Sequence, residues 1–79
     1  MIDPRGMSFA DWADNTGVQV RTNGWILGRA PIDEANWRDW AVGLTLAGGV
    51  NRQSLPSPYA FTDWRKWAER VYPMLEASV

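Results

Sequence analysis

The chain contains no cysteine and no histidine. Without cysteine there is no disulfide to staple a small fold and no thiolate site for zinc. Without histidine the usual general base, the commonest metal ligand and the near-neutral proton switch are all missing. Lysine is nearly absent as well, since Lys66 is the single lysine among eight basic residues. No apolar run approaches the ~18 residues that a membrane span needs. The first residues, Met1-Ile2-Asp3-Pro4-Arg5-Gly6, hold no apolar stretch of the kind a secretory signal carries, so a cytoplasmic location is the default expectation. A net charge of -1 suggests neither a nucleic-acid footprint nor an acidic mimic of one.

What the chain does have is tryptophan. Six of its 79 residues are tryptophan, and each can bury roughly 150–250 Å². In a chain this short, where burying enough surface is difficult, they substitute for core size. Seven of the eight basic residues are arginine, which stacks on aromatic rings and is favoured over lysine at interfaces.

Four of the tryptophans fall in two near-copies, Trp37-Arg38-Asp39-Trp40-Ala41 with Leu44, and Trp64-Arg65-Lys66-Trp67-Ala68 with Val71. On a helix the tryptophans, the alanine and the aliphatic residue occupy i, i+3, i+4 and i+7, one apolar stripe with arginine beside it. Phe9-Ala10-Asp11-Trp12-Ala13 is a partial third echo, closest to Phe61-Thr62-Asp63-Trp64.

Along the chain, residues 1–7 carry Pro4 and Gly6 without periodicity and read as a flexible arm; residues 8–79 form one small domain. Ser8 fits an N-cap with Asp11 three positions on. The helix it starts is expected to be short, stopped at Asn15-Thr16-Gly17. Val18-Gln19-Val20-Arg21 then alternates, and Asn23-Gly24 leads into Trp25-Ile26-Leu27. That pattern predicts a β-hairpin with strands near 18–22 and 25–29. A second helix is expected from Asp33-Glu34 to about Ala47, halted by Gly48-Gly49. Glu34 and Arg38 are spaced to pair on it. Val42 and Leu46 widen its apolar stripe, so it should be covered on more than one side. Residues 48–60 read as an irregular connection in which Ser57-Pro58 starts one helical turn. Thr62 is expected to cap the last helix, with Arg65 and Glu69 paired outside, and Pro73 to end or kink it near Val71-Tyr72. The fold class expected is therefore α+β: a short N-terminal helix, one β-hairpin and two Trp-rich amphipathic helices.

Chemistry is sparse. The nine carboxylates are scattered, and Asp33, Glu34 and Asp39 read as matches to a helix dipole. Ser8, Ser54, Ser57 and Ser78 have no histidine to activate them. The glycines lack a phosphate-cradling spacing. No catalytic, metal or cofactor site is expected. Arg65, Lys66 and Arg70 lie near two tryptophans, but Asp63 and Glu69 dilute that field, so nucleic acid is not expected either. The tryptophan seams fit two roles, a small aromatic core or exposed anchors for a partner. On the second role, the candidate contact residues are Arg5, Trp25, Trp37, Trp40, Trp64, Arg65 and Trp67.

Phe61-x-Asp63-Trp64-x-x-Trp67-Ala68, with its echo at 36–41, resembles a short helical pattern found in small bacteriophage virion proteins, the capsid-decorating or tail-associated subunits. The resemblance covers about a third of the chain. It implies a non-enzymatic structural subunit present in many copies, contacting itself or other virion proteins, located in the virion if phage-encoded. A small regulator that binds one host or defence protein is the alternative from a different class, and a glycan-binding module is a third.

Overall fold

The structure is a computed structural model that describes residues 3–28, 33–50 and 54–78. Over these residues the chain is all helical: α1 Phe9–Thr22, α2 Trp37–Val50 and α3 Trp64–Ser78, with 3-10 turns at Glu34–Asn36 and Pro58–Ala60. No strand occurs among the described residues, so the α+β expectation and its hairpin are overturned.

The correction has a local cause. Phe9, Trp12, Ala13, Thr16 and Val20 stand at i, i+3, i+4, i+7 and i+11, and all are buried. A strand over 18–22 would alternate these side chains between two faces, whereas a helix puts them on one. Asn15-Thr16-Gly17 therefore does not end α1. The end comes at Asn23-Gly24, where Gly24 takes φ 91. There the Trp25 N–H donates to the Val20 carbonyl and the Gly24 N–H to the Arg21 carbonyl, each at 3.0 Å. This is a Schellman cap, with Trp25 folded back beside Val20 as its apolar partner. Asn-Gly supplies the same left-handed geometry a hairpin turn would need, which is why the two read alike.

The other two helices differ from expectation at their ends. A 3-10 turn capped by the Asp33 side chain precedes α2, and α2 runs on through Gly48-Gly49, with Gly48 buried. Asp63, not Thr62, caps α3, its carboxylate accepting from the Arg65 N–H at 2.8 Å. Pro73 lies inside α3, which continues past it. Ser8 does cap α1, accepting from the Asp11 N–H, and Ser57-Pro58 does open one helical turn.

The core has a threefold plan. Each α-helix begins on an aromatic residue and repeats one register: Phe9, Trp12, Ala13, Thr16; Trp37, Trp40, Ala41, Leu44; and Trp64, Trp67, Ala68, Val71, all buried. The third seam thus aligns Phe9, not Trp12, with the first tryptophan of the others. The three equivalent tryptophans form a triangle: Trp12–Trp40 at 5.9 Å, Trp12–Trp67 at 6.0 Å and Trp40–Trp67 at 6.4 Å between ring centres, at 80–87°. Edge-to-face packing at this distance sets the positive ring edge on a negative face.

The first aromatic of each helix then leans on the middle tryptophan of the next, around the ring. Phe9 meets Trp40 at 5.7 Å, Trp37 meets Trp67 at 5.8 Å, and Trp64 meets Trp12 at 6.0 Å. The N-terminal turns of all three helices therefore converge. A helix of 14 residues is ~21 Å long, so each connection must carry the chain back to the end where the helix began. That return requires long links where an up-and-down bundle uses short ones.

One core position breaks the pattern chemically. Thr16 stands where the other helices have Leu44 and Val71, and its hydroxyl is buried with no hydrogen-bond partner. An unmet buried hydroxyl costs about 1–3 kcal/mol. Thr16→Val is expected to stabilise the fold by about 1 kcal/mol, raising the thermal midpoint by about 4–8 °C. A lower midpoint in calorimetry would mean that the hydroxyl is satisfied in solution.

Candidate interaction surface

The end where the helices meet is built first by its arginines. Arg38 and Arg65 each directly follow the first tryptophan of their helix and lie over its ring, both at 4.7 Å. Each then reaches the chain just ahead of the next helix: Arg38 donates to the Phe61 carbonyl at 2.7 Å, and Arg65 to the Met7 carbonyl at 2.9 Å. Neither makes the expected pair along its own helix, with Glu34 or Glu69. In α1 the corresponding residue is Ala10, so the ring of clamps is open at one of three places.

Three positive helix ends at one pole call for negative charge. Asp11, Glu34 and Asp39 provide it, together with the capping carboxylates Asp33 and Asp63. A cleft of about 450 Å³ lies there, lined by Asp33, Glu34, Thr62, Asp63 and Arg38 with the edges of Trp37 and Trp64. Asp33 and Asp63 are already accepting from the Ala35 and Arg65 backbone N–H groups. Among the described residues no cluster of carboxylates is suited to a metal ion. The acids serve the helices.

All six tryptophans are buried. Trp25, Trp37, Trp40, Trp64 and Trp67 are therefore not open anchors on the monomer, and none presents a free ring face to a base or a sugar. Of the candidate contact residues, Arg5 and Arg65 are the exposed ones. In the 1–7 segment, Pro4 is fully buried and Met7 packs on the core. Arg5 forms an exposed ion pair with Asp3. Side-chain and then backbone hydrogen bonds from Arg5 lower the Asp3 carboxyl from 3.8 to about 2. Since the folded value lies below the ordinary one, the stabilisation is complete above pH 3.8 and lost as pH falls through about 2. Carboxyl NMR titration should centre at about 2, and Arg5→Ala should return it toward 3.8. A midpoint unmoved by Arg5→Ala would assign the shift elsewhere.

The surface that remains is the outer face of α2. From Trp40 to Val50 the helix has no charged residue, whereas α1 exposes Asp11, Asp14 and Arg21, and α3 exposes Arg65, Lys66, Glu69 and Arg70. Leu46 is 67% exposed at the centre of this face. On one flank lies a groove of about 220 Å³, walled by Val42, Thr45 and Leu46 on α2 and by Leu55, Pro58 and Tyr59 opposite. Tyr59 is 70% exposed at its rim.

On the other flank runs the segment after the α1 cap. Leu27 packs there, its Cδ1 3.7 Å from where a Cβ on Gly43 would stand. Its neighbour Ile26 is 93% exposed. Arg21 fixes this segment by donating to the Leu27 and Gly28 carbonyls at 3.3 and 3.4 Å. Gly17 leaves room for that guanidinium, since a Cβ would come within 3.1–3.3 Å of it.

Sequence reasoning missed Ile26, Leu46 and Tyr59 as surface features. The available signal was the breadth of the α2 stripe. A stripe that broad predicts cover on more than one side, yet Leu46 is exposed on one of them. Comparison with protein-family models, curated proteins and solved structures finds no match. No helix among the described residues is long and apolar enough to cross a membrane.

Proposed function

We propose that this chain acts without catalysis, as a structural or assembly subunit working through protein–protein contacts. The setting we favour is a phage particle, as a capsid or tail accessory protein, because Phe61-x-Asp63-Trp64-x-x-Trp67-Ala68 resembles a helical pattern of small virion subunits. The observation that carries the contact reading is the stretch of α2 after Asp39, which has no charged residue and exposes Leu46, with Tyr59 exposed at the adjoining groove and Ile26 exposed after α1, while every tryptophan is in the core. Contiguous apolar surface on a small protein marks a contact site, and central apolar anchors carry most of the energy of such contacts.

Leu46→Asp tests this without touching the core. A lost anchor is worth about 2 kcal/mol, roughly 30-fold in affinity. The tagged chain, expressed in its own host during infection, is expected to co-sediment with particles or their precursors. Leu46→Asp should stay in the soluble fraction with an unchanged circular dichroism spectrum. Equal soluble distribution of both proteins would count against the proposal.

A further inference from the structure

We propose that the groove between α3 and the segment leading into it binds a small organic carboxylate with an apolar body, its carboxylate held by Arg70. This groove shares only Leu55 with the one beside α2, so the ligand site stands apart from the contact surface.

The groove has a volume of about 350 Å³. Among the described residues it is lined by Ser54, Leu55, Pro56 and Phe61 ahead of α3, and by Arg70 and Met74 on the helix. Small-molecule sites run from roughly 300 to 1,000 Å³, so a compact ligand fits. Its walls are fixed from behind. The buried Trp67 donates its Nε1–H to the Pro56 carbonyl at 2.9 Å, and Arg38 donates to the Phe61 carbonyl at 2.7 Å. Leu55 belongs to the core, and Phe61 and Met74 pack against it. Met74 completes the wall because α3 continues past Pro73. A site already in place loses little freedom on binding.

Charge selects the ligand's head. Of the described arginines, Arg70 alone makes no hydrogen bond or ion pair. Arg5 is paired with Asp3, Arg21 with two carbonyls, Arg38 with Phe61 and Arg65 with Met7. Arg70 is also the one charged residue in the lining. Lys66 stands one turn earlier on the same side of α3 and adds to the positive field. Glu69, about 100° around the helix from Arg70, is outside the lining, and its charge acts on Arg5. A free guanidinium offers the planar fork that a carboxylate meets with two parallel N–H···O bonds.

The remaining lining selects the body. Ser54 is the only other polar side chain there, proline has no N–H to offer, and the Pro56 and Phe61 carbonyls already accept bonds. A peptide main chain laid in this groove would leave its own N–H and C=O groups short of partners, at a cost for each. A molecule whose one polar group is its carboxylate has no such groups.

Octanoate is a suitable probe. Titrated into the isotope-labelled chain, it is expected to shift the amide resonances of Ser54, Leu55, Phe61, Arg70 and Met74 saturably, with a midpoint below about 1 mM. Arg70→Gln should keep the native circular dichroism spectrum and weaken octanoate about tenfold or more. Octanol, which has the same body without the charge, should bind the native chain more weakly by a similar factor. No saturation up to about 10 mM, shifts centred on other residues, or equal binding to Arg70→Gln overturns the proposal. So does tighter binding of acetyl-Gly-Gly-Leu with a free C-terminus, which would assign the groove to the end of a partner protein. Leu46→Asp should bind octanoate as the native chain does, so the ligand site and the contact surface stand or fall separately.

Discussion

Trp67→Ala is expected to unfold the chain. The indole touches Trp12, Trp37 and Trp40, so its loss removes edges from the triangle and the ring that joins all three helices. Its Nε1–H also donates to the Pro56 carbonyl at 2.9 Å, tying the connection ahead of α3 to the core. Truncating a buried tryptophan costs about 3–5 kcal/mol through lost transfer energy and the cavity left behind. An acceptor left without its donor adds about 1 kcal/mol. Whole domains hold only about 5–15 kcal/mol, and one of this size sits at the low end. Far-UV circular dichroism at 25 °C should show a largely unfolded chain. A cooperative melt within a few degrees of wild type would disprove the shared core.

Trp25 provides the contrast. It packs at the end of α1 and belongs to none of the ring pairs that join the helices, so Trp25→Ala should remain folded, with a lower midpoint. The tryptophans of the triangle therefore cannot test the contact surface. Loss of assembly in Trp40→Ala or Trp67→Ala would report unfolding, whereas Leu46→Asp leaves the core intact.

The seams at 37–44 and 64–71 were legible because the stripe and the pattern are the same thing: Trp-x-x-Trp-Ala at helical spacing has one economical burial. The α1 seam was not. It has phenylalanine in the first position and threonine in the fourth, so its kinship with the others is weak as text and evident only in space. Val18-Gln19-Val20 and Asn23-Gly24 then favoured a hairpin locally. Burial of Thr16 and Val20 overrides that preference, as tertiary contacts commonly do over short windows. The direction of the arginines was hidden for a related reason. A spacing of i, i+4 suggests Glu34–Arg38, but a guanidinium beside an indole face and a backbone carbonyl 23 residues away in sequence has partners no local window contains. Leu46 and Ile26 went unmarked because exposure depends on what fails to cover a residue.

The same competition makes Pro73→Ala the second large effect, this time stabilising. Proline has no N–H to give the Glu69 carbonyl, and its ring crowds that oxygen. Local chemistry therefore predicts a helix end near residue 72. The helix continues because Leu75 falls at i+11 from Trp64, on the stripe that holds Trp67, Ala68 and Val71, and is fully buried. Pro73 and Glu69 are both exposed, so water can satisfy the orphaned carbonyl. Proline in a helix interior costs ~3 kcal/mol relative to alanine. Alanine's freer unfolded chain returns about 0.4–1 kcal/mol of that, leaving a gain of about 2 kcal/mol. The thermal midpoint should rise by about 8–16 °C at the domain-size scaling of 4–8 °C per kcal/mol. An unchanged or lower midpoint would mean that α3 needs the bend at Pro73 to deliver Leu75 to the core. Burial would then dictate the shape of the helix as well as its length.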